Sequence, residues 1–126
     1  METIYLDTYA AVWLYAGETR LFTPMSMRML DKSDIALSPA VLLEMQFLKE
    51  IGKISFKVDS FLRVMQAELG IRLCDRPFAS VVMSSVELSW TRDPFDRLIV
   101  AQAVASQATL ITKDRRILEH YPHAVW

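Results

Sequence analysis

Four short, largely apolar and β-favouring runs, at residues 3–6, 35–37, 71–74 and 109–112, alternate with segments of helical patterning. Parallel strand pairs need crossovers of a dozen or more residues, usually helical, and the helices then hide both faces of the sheet. The alternation therefore predicts an α/β fold, a three-layer α/β/α sandwich with a mostly parallel central sheet. Helices are expected at 9–16, stopped by Gly17, at 25–30 behind Thr23-Pro24, and at 41–53 behind Ser38-Pro39. Further helices are expected at 56–68, stopped by Gly70, and at 78–88, 91–105 and 115–120, with 123–126 offering a last short strand. At 126 residues and 52% hydrophobic composition, the chain has material for one core, which predicts a single domain over residues 1–126.

Two segments stand out within this plan. The second half of 91–105 is apolar on every side except Gln102, the pattern of a helix buried all round. Met25, Met27 and Met29 cannot share one helical face, so at least one is expected at the surface, as flexible partner-binding area, with core gap-filling as the alternative. The net charge of −1 excludes bulk electrostatic attraction to nucleic acid, so such a contact would need a local basic patch. A lone cysteine, Cys74, with Ile71 and Leu73 ahead of it suggests a buried structural thiol in a reducing compartment. No basic leader and no apolar run long enough to span a bilayer are seen, so a soluble, cytoplasmic protein is expected.

Carboxylates occupy corresponding places in the pattern. Asp7 and Asp114 each follow a strand and precede a helix, where a helix cap is the plain reading and the ligand-binding edge of an α/β sheet the functional one. Asp93 precedes Pro94 as an N-cap, and Asp96 falls in the first turn behind it. In the helix of 41–53, Gln46, Lys49, Glu50 and Lys53 form the polar stripe, whereas Glu44 lies among Ala40, Val41, Phe47 and Leu48. A carboxylate on an apolar face needs a cation or a hydrogen-bonding cluster. Strands of a parallel sheet end at one edge, so these acids should gather there and repel one another unless a divalent cation or protonation relieves them. An all-oxygen donor set suits Mg²⁺, with Mn²⁺ as a substitute, and such an ion can activate water and neutralise a phosphodiester. Arg92, Arg97, Lys113, Arg115 and Arg116 flank the same motifs as candidate phosphate contacts, or as ion-pair partners for the acids. No phosphate-binding glycine loop, dinucleotide fingerprint or serine or cysteine nucleophile with a base partner is present, and His120 and His123 suit a helix end better than a metal.

The order Leu6-Asp7-Thr8, then Val41-Leu42-Leu43-Glu44, then Arg92-Asp93-Pro94-Phe95-Asp96-Arg97-Leu98-Ile99-Val100-Ala101-Gln102-Ala103, then Leu110-Ile111-Thr112-Lys113-Asp114 resembles the PIN domain, and within it the VapC toxins of bacterial toxin–antitoxin pairs. The resemblance covers nearly the whole chain, and Asp-Pro-Phe-Asp-Arg is its most specific part. It implies Mg²⁺-dependent endoribonuclease activity from an acidic quartet, a homodimer, and inhibition by a VapB-like antitoxin. By position it implies Asp7, Glu44, Asp96 and Asp114 as catalytic and metal-binding residues, Asp93 as an additional acid that binds metal or caps the helix, and Thr112 as a supporting hydroxyl. Two alternatives stand beside it: a housekeeping PIN ribonuclease without an antitoxin, and a receiver-like signalling module, in which Glu44 would have no role.

Overall fold

The computed structural model describes residues 2–126. Its elements run β1 (Thr3–Leu6), α1 (Thr8–Tyr15), a 3₁₀ turn (Thr19–Leu21), α2 (Pro24–Lys32), β2 (Asp34–Leu37), α3 (Pro39–Glu50) and α4 (Val58–Leu69). They continue β3 (Arg72–Leu73), α5 (Phe78–Ser85), α6 (Pro94–Ala105), β4 (Thr109–Ile111), α7 (Arg115–His120) and β5 (Ala124–Val125). The strands form one sheet in the order β3-β2-β1-β4-β5, and every pairing is parallel. This is the expected α/β/α sandwich, with helices carrying each crossover.

The strand order fixes where chemistry can sit. From β1 the chain moves outward to β2 and β3, then returns across the sheet to β4 on the other side of β1. Connections leaving β1 and β4 diverge to opposite faces, which opens a crevice at the carboxyl ends of those two strands. The ladder holds them in register, with Leu6 opposite Ile111 and the Asp7 amide donating to the Ile111 carbonyl at 3.1 Å. The side chains of Ile4, Leu6, Leu37, Leu110 and Ile111 are fully buried against Val41, Met45, Phe61 and Ile99 from the helices.

Local differences from the sequence expectation have local causes. The edge strand β3 keeps two residues, not four, because the Ile71 amide turns back to the Met65 carbonyl to close α4, with Gly70 at φ +63°. Helix α5 stops at Ser85, not residue 88, where the Ser85 hydroxyl donates to the Val82 carbonyl. Residues 56–57 lie ahead of α4, with Lys57 extended as its N-cap, and Phe56 packs on Tyr15 at 4.8 Å. Helix α6 is not buried all round. Ile99 to Ala103, Gln102 included, are buried, but Val104 and Ala105 emerge at its end, before the turn through Gln107 at φ +50°. Cys74 is half-buried rather than buried, because it lines an open cleft beside β3. Of the three methionines of α2, Met27 and Met29 pack against the core and Met25 is exposed. Among the described residues, no helix is long and apolar enough to cross a membrane.

Candidate active site

Asp7 follows β1 directly and caps α1: its Oδ1 accepts from the Ala10 amide at 2.8 Å. The other oxygen, Oδ2, accepts a short hydrogen bond from the Thr112 hydroxyl at the end of β4. The Thr112 oxygen also accepts from the Asp114 amide at 3.0 Å. One buried hydroxyl thus joins the acids that end the two central strands. Asp114 caps α7 through Oδ1, which accepts from the Ile117 amide at 3.0 Å. Asp93 caps α6 in the same way, with Oδ1 accepting from the amides of Phe95 (2.8 Å) and Asp96 (3.2 Å). The cap readings of Asp7, Asp93 and Asp114 are therefore met, and each Asp93 and Asp114 cap occupies one carboxylate oxygen and leaves the other.

Glu44 and Asp96 are not caps. Glu44 is half-buried on α3 and its Oε1 accepts a short bond from the Thr8 hydroxyl, 36 residues away in the chain. Among the described residues, no donor reaches the Asp96 carboxylate. These five acids line one pocket of about 410 Å³ together with Thr8, Tyr9, Trp13 and Lys113. A larger cleft of about 680 Å³ beside β3 sets Arg72 and Arg76 against Glu2 and Asp75 and holds none of the five.

The electrostatics of the pocket are those of uncompensated negative charge. Burial, with the charges of Asp114 and Glu44 adding to it, raises the Asp7 carboxyl to about 6 despite the Thr112 and Ala10 hydrogen bonds. Burial also raises Glu44, against the opposing Thr8 hydrogen bond, with Asp93 and Asp114 adding repulsion. Asp96 is pushed to about 7, first by burial and then by Asp93, Asp114, Glu44 and Asp7, with nothing opposing. No basic side chain forms an ion pair with any of them; among the described residues the single ion pair is Arg20–Glu18, at 3.9 Å on the surface.

The basic residues are distributed differently from expectation. Lys113 lines the pocket, its Nζ 5.9 Å from the ring centroids of both Trp13 and Trp126. Arg92 donates to the Ser89 carbonyl and Arg97 to the Thr91 carbonyl, and neither lines the pocket. Arg115 and Arg116 are exposed on α7, also outside it. Their pairing with the acids does not occur. His120 stacks on Trp90, with ring centroids 4.9 Å apart, away from the acids. Sequence reasoning did not single out Thr8, Tyr9 or Trp13; the i, i+4 spacing of the two rings on α1 was the available signal.

The donors are all oxygen, which fits a hard divalent cation rather than zinc. As they stand, no three acidic, imidazole or thiol groups among the described residues lie close enough to enclose an ion. The observation favouring a fit is the unpartnered Asp96 carboxylate beside four other acids.

The PIN domain family model matches residues 4–123, and the chain belongs to that family. It is 28% identical over 130 residues to Ribonuclease VapC22 of Mycobacterium tuberculosis (strain ATCC 25618 / H37Rv), covering all of both chains. Its fold is similar to a chain of VapBC2 from Rickettsia felis bound to a DNA fragment from their promoter, with TM-score 0.67, 21% identity and 98% and 96% of the two chains covered. A toxin–antitoxin complex from Klebsiella pneumoniae is similar at TM-score 0.62 and 17% identity, over 98% and 96% of the chains.

The site's internal tether gives a first prediction. Thr112→Val keeps the shape and removes both the donor to Asp7 Oδ2 and the acceptor for the Asp114 amide. Equilibrium urea unfolding should show a loss of about 1.5–3 kcal/mol, the usual cost of deleting a buried bond to a charged group. A stability equal to wild type would mean that neither of the two Thr112 bonds contributes.

Proposed function

We propose that this chain acts as one domain, a Mg²⁺-dependent endoribonuclease that serves as the toxin of a type II toxin–antitoxin pair in the cytoplasm, with Mn²⁺ as a possible substitute. The observation that carries the reading is the gathering of five carboxylates, none paired with a cation, at the crevice between β1 and β4. Membership of the PIN family, and similarity to a protein named a ribonuclease and to chains from VapBC complexes, support it. A VapB-like antitoxin and a second copy of the chain are the partners this reading assigns.

Asp7, Glu44 and Asp96 would hold the ion, with Asp93 and Asp114 offering their uncapped oxygens. The bound ion would supply Lewis acidity and neutralise charge on a phosphodiester. The protein's own part is positional. Thr112 and the Ala10 amide fix both oxygens of Asp7, so that carboxylate enters the site in one orientation. Thr8 fixes Glu44 Oε1 and leaves Oε2 to orient a water. Lys113 stands at the rim as the one ammonium that lines the pocket, placed to hold a phosphate oxygen. Arg92, Arg97, Arg115 and Arg116 have no contact with the pocket, so any role they have in RNA binding lies farther along the strand.

Incubation of the pure protein with a mixed RNA pool tests this. Cleavage is expected with Mg²⁺, and none with EDTA. Cleavage that persists in EDTA would remove the metal from the account.

A further inference from the structure

We infer that the wall of the acidic pocket is a stacking subsite for an unpaired nucleobase, with Tyr9 as its exposed shelf. The inference rests on the reading that RNA is the substrate.

Four aromatic rings run in sequence toward the pocket. Phe22, buried, stacks on Trp126 at 4.9 Å and 29°. Trp126 meets Trp13 edge-on at 5.6 Å and 70°, and Trp13 meets Tyr9 at 5.7 Å and 37°. Phe22, Trp126 and Trp13 belong to the core or pack against it; Tyr9 does not. Tyr9 is 41% exposed and lines the pocket beside the carboxylates. Core packing thus accounts for three of the rings and leaves the fourth.

An acidic pocket on a chain of net charge −1 does not draw nucleic acid by bulk attraction, so the strand needs local contacts. Two are present. Lys113 Nζ lies 5.9 Å from the centroids of both Trp13 and Trp126, which puts a cation for a phosphate on the same wall as the rings. Tyr9 offers a π-face that any base can cover, held by the anchored rings behind it at little cost in side-chain freedom. Bases in a duplex already cover one another's faces, and a splayed single strand exposes them. The subsite therefore selects unpaired over paired RNA, and it tolerates different bases because stacking reads no hydrogen-bond pattern.

The test is fluorescence anisotropy with a labelled, mixed-sequence single-stranded oligoribonucleotide and with its duplex. Ca²⁺ replaces Mg²⁺, and the RNA is checked for integrity. The wild type should bind the single strand more tightly than the duplex. Tyr9→Leu should weaken single-strand binding by roughly tenfold, the loss of one base–aromatic stack, and Tyr9→Phe should bind as the wild type does. Tyr9→Ser replaces the leucine variant if circular dichroism shows that variant unfolded. Equal single-strand affinity for Tyr9→Leu and wild type would overturn the subsite and leave the nuclease reading standing. Binding of neither RNA form by the wild type would overturn both.

Discussion

Asp96→Asn should abolish metal-dependent RNA cleavage, by at least about a hundredfold, and at the same time raise the thermal stability of the metal-free protein. The two effects share one cause. Asp96 sits among four other acids, no donor reaches its oxygens, and its carboxyl is pushed to about 7. The native state therefore holds this proton more tightly than the unfolded chain, whose carboxyl titrates near 4. Stability contributed by the protonated form is complete below about pH 4, falls as pH rises, and is gone above about pH 7. Asn removes the charge and keeps the shape. After discounting for the water that reaches this half-buried group, the gain near pH 8 is about 1–2 kcal/mol, or about 5 °C in Tm. Near pH 4 the variant and the wild type should melt together. Lost folding in Asp96→Asn, or a lower Tm near pH 8, would make Asp96 a structural residue.

The second large effect separates two substitutions at Asp7. Both Asp7→Asn and Asp7→Ala should lose cleavage, but their stabilities should differ in a pH-dependent way. Asn can still accept from the Ala10 amide and pair with the Thr112 hydroxyl. It also removes a buried charge whose carboxyl is raised to about 6. Asp7→Asn should therefore match the wild type near pH 5 and exceed it near pH 8 by up to about 2 kcal/mol. Asp7→Ala deletes an N-cap and strands a buried hydroxyl, which costs about 2–4 kcal/mol. Near pH 5 no relieved charge offsets that cost, so the alanine variant should be clearly destabilised. Urea unfolding of both variants at the two pH values checks this. An alanine variant as stable as the asparagine variant near pH 5 would show that the hydrogen bonds of Asp7 carry no stability.

The legibility of this protein in its sequence follows the range of the forces involved. Strand-to-helix handovers at Asp7 and Asp114, and the Asp93-Pro94 helix start, are written in neighbouring residues, and the structure has them where the pattern indicated. Glu44 was legible because helical periodicity exposes a misplaced charge. Its donor was not: Thr8 reaches it from another element, and nothing in the spacing of the two residues encodes that contact. The absence of ion pairs between the arginines and the acids among the described residues was not legible, for the opposite reason. Arg92 and Arg97 flank the acids in sequence, but carbonyls in the loop ahead of α6, at Ser89 and Thr91, capture them first. Gln102 interrupts an apolar stretch yet is buried, whereas apolar Val104, two residues on, is exposed. Composition describes a face, and the point at which a helix clears the sheet decides burial.

The most direct test of the central claim is a calorimetric titration of Mg²⁺ into the metal-free wild-type protein near pH 7.5, repeated near pH 5 and with Asp96→Asn. Saturable binding at or below millimolar concentration is expected near pH 7.5, with weaker binding near pH 5, where Asp7 and Asp96 must release protons to bind, and little or none in the variant. An absence of binding at millimolar Mg²⁺ and Mn²⁺, or identical binding by Asp96→Asn, would contradict a metal site, and the five carboxylates would then serve the fold alone.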